Sequence, residues 1–184
     1  MYRIKLHGLG GQGVVTAAKI LSHAVSIHEN KFGKTVPAFG HERRGAPVFA
    51  DVMIDDQPVL VNSFVYEPDV VMLFASSAPD RGIPIAKGIH SESILVINTG
   101  NEQLVQQLKE TYRFKEVYYV DATGIALAEI GRDIPNGAML GALAGTGIVA
   151  IDSITRALVE NFKPGEGDRN ARAARKAYEQ TRKK

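Results

Sequence analysis

The 184-residue sequence contains no cysteine. That absence excludes disulfides, thiolate-ligated zinc, thiolate-held iron–sulfur clusters and a cysteine nucleophile from this chain. Chemistry of those kinds, where it accompanies the chain, belongs to another subunit. Charge of one sign is also scarce: 22 basic against 20 acidic residues leave a formal net charge of +2, so no global field attracts nucleic acid or an acidic membrane. No stretch approaches the ~18 uncharged apolar residues of a membrane helix. The first residues, Met1-Tyr2-Arg3-Ile4-Lys5-Leu6, run into a glycine-rich turn without the apolar core of a signal peptide. A cytoplasmic protein is therefore expected, with no membrane and no nucleic-acid partner. Internal repeats and low-complexity tracts are missing as well.

What is present suffices for one sizeable core, since 45% of the residues are apolar. Tyr2 to Leu6 reads as a strand, Gly8 to Gly13 as a turn, and the apolar positions Val14, Ala17, Ala18, Leu21, Ala24 and Val25 as one face of a helix. A second extended piece is expected around Thr35 to Phe39. A hairpin is expected between Ala46–Ile54 and Val59–Val61, turning through Asp55-Asp56-Gln57-Pro58. Asp69–Phe74, Ser93–Asn98 and Glu116–Val120 are short Val/Ile/Tyr-rich runs, suited to buried strands of a mainly parallel sheet. Helical patterns occupy Glu102–Tyr112, Gly124–Ile130, Ala138–Ile148, Ile151–Phe162 and a charged tail from Asp168 to Arg182. The expected fold is α/β: a Rossmann-like three-layer fold with a mainly parallel mixed sheet, an edge hairpin and a C-terminal helical extension. Lys163-Pro164-Gly165-Glu166-Gly167 is the strongest break, dividing a Rossmann-like domain over 1–162 from a linker and basic helix over 163–184. The tail helix carries alanines on one face and arginines and lysines elsewhere, so it either packs by its alanine face or docks on an acidic partner.

Two constellations suggest chemistry. In Gly8-Leu9-Gly10-Gly11-Gln12-Gly13, a glycine turn between strand and helix brings backbone N–H groups and a helix N-terminus to one point, which favours a phosphate or pyrophosphate. Gly8 and Gly10 permit the tight turn, and Gly13 allows the helix to pack on the strand. A dinucleotide site would also need an acid about 20 residues further on, at the end of the second strand, for the ribose. Glu29 falls at the end of the first helix and Glu42 beside two arginines, so neither supports NAD or FAD. In Phe39-Gly40-His41-Glu42-Arg43-Arg44-Gly45-Ala46-Pro47, two guanidiniums sit together between glycines. Neighbouring side chains of an extended segment point opposite ways, so one of Arg43 and Arg44 can face an anionic ligand while the other pairs with Glu42 or a partner chain. Both constellations also have plain structural readings, as a packing turn and a solvated turn.

Catalytic groups are weakly indicated. The histidines, His7, His23, His28, His41 and His90, show no metal-ligand spacing; His23 and His28, five residues apart, do not share a helical face. Ser76-Ser77 lacks the glycines of a nucleophile elbow. Asp121 ends a strand near the ligand-binding edge of the sheet, and a helix N-cap is its commoner role. No catalytic and no metal-binding residue is assigned.

Taken together, these motifs resemble the gamma subunit, or gamma-type domain, of the 2-oxoacid:ferredoxin oxidoreductases, most of all the pyruvate type. Gly8 to Leu21 is similar to that family's GxGGQGVVTAAKIL segment, and Gly40 to Val48 to its G-x-E-R-R-G-A-P-V block. Asp55–Pro58, Pro68-Asp69-Val70-Val71, Leu95–Thr99, Pro135-Asn136 with Met139-Leu140-Gly141, and Asn170 with Ala173, Ala174 and Ala177-Tyr178-Glu179 follow in the family's order. The resemblance implies an assembly that converts a 2-oxoacid and coenzyme A to an acyl-coenzyme A and carbon dioxide, passing electrons to ferredoxin or a related acceptor. It implies alpha, beta and delta-type companion subunits holding thiamine diphosphate and 4Fe–4S clusters, in keeping with the lack of cysteine here. It further implies that this chain helps to place coenzyme A, with Gly8, Gly10, Gly11, Gln12, Gly13, Arg43 and Arg44 as its binding residues, and that the isolated chain is inactive. A purely structural subunit and a stand-alone NAD- or FAD-binding oxidoreductase are the competing readings. Where the family commonly has an aspartate after Leu73, this chain has Phe74, which leaves the 2-oxoacid open among pyruvate, aryl and branched types.

Overall fold

The computed structural model of the chain describes residues 1–38 and 45–184. Seven strands form one sheet: β1 (Tyr2–Leu9), β2 (Phe32–Pro37), β3 (Pro47–Asp55), β4 (Val70–Leu73), β5 (Ile94–Asn98), β6 (Glu116–Val120) and β7 (Arg182–Lys183), in the spatial order β2-β3-β1-β4-β5-β6-β7. The helices are α1 (Val14–His28), α2 (Glu102–Tyr112), α3 (Ala122–Ile130), α4 (Asn136–Ala144), α5 (Ile151–Asn161) and α6 (Glu166–Gln180). The four central strands β1, β4, β5 and β6 run parallel, while β3 is antiparallel to both β1 and β2.

The central strands are buried on both faces, which is why β4 is the unbroken apolar run Val70-Val71-Met72-Leu73, with every side chain at most 1% exposed. Alternation sorts these residues between two cores. Ile4, Leu6, Val70, Met72 and Val96 face a layer of α1 and α3 to α6, whereas Val71, Leu73, Leu95 and Ile97 face α2 and the segment through Ile83 and Ile85. The result is the expected three-layer α/β fold.

Helix ends follow local chemistry. Asn101 caps α2, its side chain accepting from Gln103 N at 3.0 Å and Leu104 N at 3.1 Å. Asp121 takes the N-cap role for α3, accepting from Gly124 N at 2.8 Å. Helix α4 has no charged residue and every one of its side chains is buried, the pattern of a helix enclosed on all sides.

The expected hairpin about Asp55–Pro58 needs correction. Both edges of β3 are already occupied, by β1 on one side and β2 on the other, so no strand position remains for Val59–Val61. That segment is not a strand, and Leu60 and Val61 are exposed. The Asp55 carboxylate instead accepts from Gln57 N at 3.1 Å, a local Asx turn. The edge hairpin consists of β2 and β3. Its connection contains 39–44, so the expected extension of the second strand to Phe39 lies partly outside the described residues; β2 ends at Pro37.

The break expected at 163–167 is a turn over 163–165 between α5 and α6, which starts at Glu166. Beyond it, Ala173, Ala174 and Ala177 join the same core as α1, and Arg182 and Lys183 pair with Tyr119 and Tyr118 on the sheet edge. The positive charges of the tail meet acids of this chain: Lys176 and Arg172 with Glu129, Arg175 with Asp152, and Arg182 with Glu102.

Candidate functional site

Strand β1 delivers the glycine turn to the carboxyl edge of the parallel strands, the edge at which open α/β sheets bind ligands. The turn is tightly determined. Gly8 faces α1, and a Cβ there would come within 2.6 Å of Val14 Cγ2 and 2.9 Å of Phe74 Cβ. Gly11 (φ 99°) and Gly13 (φ 74°) occupy the left-handed region where only glycine is unstrained. Gln12 ties the turn to the sheet: its Oε1 accepts from Leu9 N at 2.8 Å and its Nε2 donates to Phe74 O at 3.2 Å. Asn98 donates to the same carbonyl at 2.9 Å.

Gly13 is the N-cap of α1 and offers no side chain to the first amides; the first turn also lacks any acid. The first amides of α1 therefore have no side-chain acceptor, at the positive end of the helix dipole. Helix α4 begins at the same place. Its N-cap Pro135 supplies no side-chain cap either, and the Asn136 side chain lies where a Cβ on Gly13 would be, 2.6 Å from Nδ2. Two helix N-termini therefore border one cleft of about 430 Å³, whose walls include Gly10, Gly11, Gly13, Val15, Thr16 and Phe162. A second cleft of about 480 Å³ adjoins it past Gln12, lined by Ser76, Ser77, Asn98, Thr99, Asp121 and Thr123 along the ends of β4, β5 and β6.

Of the expected site residues, Gly8, Gly10, Gly11, Gln12 and Gly13 are brought together. Arg43 and Arg44 lie outside the described residues. The segment that carries them is joined to the turn at its C-terminal flank, where Gly10 N donates to Ala46 O (2.8 Å) and Gly45 N to Gly10 O (3.1 Å). Glu29 is the C-cap of α1; its carboxylate accepts from Lys31 Nζ at 2.9 Å and Ala150 N at 2.7 Å, far from any ribose role. The strand order explains why the dinucleotide pattern is incomplete. Strand β3 is inserted between β1 and β2, which moves the end of the second strand to about 10 Å from β1, two strand spacings instead of one.

Phe74 stands where the family resemblance predicts an aspartate. Its side chain is fully buried in the α1-side core, while its backbone N donates to His7 O at 2.8 Å. What this position gives to the site is its carbonyl, through Gln12 and Asn98.

His7 is 6% exposed, and its Nε2 has no hydrogen-bond partner among the described residues. Burial, reinforced by the Lys5 charge, lowers its pKa to about 4, so the ring is neutral at pH 7. It borders a cavity of about 450 Å³ on the sheet face away from α1, with Lys5, Phe49, Phe64, Tyr66 and Lys87. There Lys5 Nζ donates to Asp51 Oδ1 at 2.9 Å, and Asp51 also accepts from Val65 N at 2.7 Å. Desolvation of Asp51 outweighs these bonds and raises its pKa.

Sequence reasoning missed this cavity because its walls come from segments distant along the chain. It included Asn136 among the motifs of the family resemblance and did not foresee its contact with Gly13, for the same reason. It also separated His23 from His28, whose rings lie 6.0 Å apart.

Comparison with known proteins identifies the family. The family model for pyruvate ferredoxin/flavodoxin oxidoreductase matches residues 3–180. The common gamma subunit of the pyruvate/ketoisovalerate oxidoreductases of Pyrococcus furiosus is 44% identical, the match covering 98% of this chain and 97% of that protein. The pyruvate synthase subunit PorC of Methanocaldococcus jannaschii is 42% identical, covering 100% and 99%. The crystal structure of the pyruvate oxidoreductase subunit PORC of Thermotoga maritima superposes with a TM-score of 0.83 at 34% identity, covering 99% of this chain and 97% of that one. No helix among the described residues is long and apolar enough to cross a membrane. With a family match over almost its whole length and full-length relatives above 40% identity, the chain belongs to the pyruvate ferredoxin/flavodoxin oxidoreductase family.

Proposed function

We propose that the chain is the gamma-type subunit of a cytoplasmic 2-oxoacid:ferredoxin oxidoreductase and that it holds coenzyme A for the acyl-transfer step. The carrying observation is the cleft bordered by Gly10, Gly11, Gly13 and Asn136, onto which α1 presents an N-terminus without a side-chain cap; at the start of α4, Asn136 Oδ1 accepts from Gly137 N at 2.8 Å. Coenzyme A carries a pyrophosphate and a 3′-phosphate. Backbone amides of the glycine turn and of the α1 start suit the first, and the paired guanidiniums that the sequence carries at Arg43 and Arg44 suit the second.

In this reading Gly10, Gly11 and Gly13 let the pyrophosphate approach the backbone, Gln12 holds the turn in shape through Leu9 and Phe74, and Thr16 offers a further hydroxyl at the cleft wall. The chain binds and orients; the thiol end of the ligand extends beyond it to another subunit. Thiamine diphosphate supplies acyl activation on a companion chain when bound, and 4Fe–4S clusters on alpha, beta or delta-type companions carry the electrons towards ferredoxin or a related acceptor. The absence of cysteine accords with that division. The pairing of β1 with the antiparallel β3 disfavours a stand-alone NAD or FAD enzyme, since the ribose acid has no seat beside β1.

The test compares the assembled complex with Arg43→Ala and Arg44→Ala separately. At least one variant is expected to raise the concentration of coenzyme A giving half-maximal rate by about tenfold, the loss of one charge-assisted contact, with kcat at saturation and subunit composition retained. Unchanged coenzyme A dependence in both variants, with the complex intact, removes the pair from the site. The isolated chain is expected to show no 2-oxoacid oxidation.

A further inference from the structure

His23 and His28 are five residues apart on α1, and on a regular helix that spacing turns their side chains about 140° from one another. The tertiary fold overrides this. Glu160, in the last turn of α5, lies against both rings: His23 Nε2 is 2.7 Å and His28 Nε2 3.1 Å from the same carboxylate oxygen. One potential ligand atom from each of the three residues lies within 4.8 Å of the other two. In a four-coordinate zinc site with bonds of ~2.0–2.1 Å the donor atoms are about 3.3 Å apart. The two His–Glu separations, 2.7 and 3.1 Å, lie within about 0.6 Å of that value, and the half-exposed Glu160 side chain has room to adjust; the two ring nitrogens, at most 4.8 Å apart, close by up to about 1.5 Å through rotation of the His23 side chain.

Electrostatics favour a cation here. His28 is the last residue of α1 and Glu160 lies one residue before the end of α5, so two helix C-termini direct their negative ends towards the cluster. A carboxylate is otherwise poorly placed in the last turn of a helix. Lys31, the nearest base in sequence after α1, is engaged with Glu29 instead. The three side chains are exposed by 35%, 11% and 45% respectively, which leaves water to complete the coordination shell.

We infer that His23, His28 and Glu160 form a binding site for one divalent transition-metal ion, of which Zn²⁺ is the best match. Two imidazole nitrogens and one carboxylate oxygen suit Zn²⁺ and its neighbours Co²⁺ and Ni²⁺, whereas Mg²⁺ and Ca²⁺ require oxygen ligands. In the metal-bound form each histidine offers its Nε2 lone pair and carries its ring proton on Nδ1, so the ion takes the place of the Nε2 contacts to Glu160. The ion joins the end of α1 to α5, at the opposite end of α1 from the glycine turn. Its role is structural and independent of coenzyme A.

The experiment uses the full-length chain, stripped with a chelator, and isothermal titration with Zn²⁺ or Mg²⁺. One saturable equivalent of Zn²⁺ is expected, with a melting temperature raised by the metal and no comparable Mg²⁺ binding. His23→Ala and Glu160→Gln should each weaken Zn²⁺ at least about tenfold and abolish the metal-dependent rise in melting temperature. Co²⁺ should give the visible d–d bands of low-coordinate cobalt with the unaltered chain and lose them in both variants. Matching circular dichroism and melting in chelator show that the variants fold; should His23→Ala not fold, His23→Asn replaces it. Absence of a saturable equivalent, equal Zn²⁺ affinity in folded variants, or Mg²⁺ binding as tight as Zn²⁺ overturns the assignment.

Discussion

Replacing Gly13 with alanine isolates the contact on which the site is built. Two costs add at this position. The backbone has φ 74°, and a side-chain-bearing residue in the left-handed region costs about 1–2 kcal/mol. The new Cβ would also lie 2.6 Å from Asn136 Nδ2, 2.9 Å from its Cβ and 3.0 Å from its Cγ. Asn136 is only 4% exposed, so its side chain cannot swing into solvent, and overpacking of this kind costs about 1–3 kcal/mol. A destabilisation of about 2–5 kcal/mol is expected for Gly13→Ala, read from urea unfolding at equilibrium. Asn136→Ala removes the Nδ2 and Cγ contacts and leaves the Cβ contact and the backbone strain. In the double variant the cost of Gly13→Ala should therefore fall by about 1–2 kcal/mol, a coupling energy measurable by a double-mutant cycle. A cost below about 1 kcal/mol for Gly13→Ala, or additivity of the two substitutions, would refute the seating of α1 against α4 described above.

Two further expectations concern stability. The pKa of His7 is lowered to about 4 from an ordinary 6.5, so as pH falls the unfolded chain binds this proton before the folded one does. The stability concerned is fully present above pH 6.5 and is lost as pH falls towards 4, by about 3 kcal/mol in all. His7→Phe, which leaves no buried nitrogen without a partner, should flatten the urea-stability profile over that window; an unchanged profile contradicts the burial of a neutral ring. Gly141→Ala should be more severe, because its Cβ would lie 1.9 Å from the Ala174 carbonyl oxygen. Backbone on α6 cannot yield as a side chain can, so a loss above about 3 kcal/mol or failure to obtain folded protein is expected. Recovery of protein with unaltered thermal melting would show that α4 and α6 are not packed this closely.

Much of the molecule was legible along the chain because its signals are local. The strand-turn-helix at Gly8–Gly13 depends on residues within one turn of one another. The strands β4, β5 and β6 announce themselves by continuous apolar character, and the start of α3 by an aspartate at its cap. The hairpin was misread because two short extended runs on either side of a tight turn resemble a pair. Whether β3 pairs forward with Val59–Val61 or backward with β2 depends on which edge the rest of the sheet leaves open, and Asp55–Pro58 carries no information about that. The NAD question turned on the same point: the sequence lacks the ribose acid, and the inserted β3 supplies the reason.

The sequence by itself determined the α/β class, the strand–turn–helix at Gly8–Gly13, the exclusion of thiolate chemistry and the family, since these rest on composition and on motifs whose parts are contiguous. Only the tertiary structure decided that α4 meets α1 at Gly13, that His7 is buried without a partner for Nε2 among the described residues, and that Glu160 draws His23 and His28 together. Each of these depends on which helix crosses which in the layer above the sheet. Crossings are set by side chains fitting together over the whole core, as in the close approach of Gly141 to Ala174, and no single stretch of sequence records that fit.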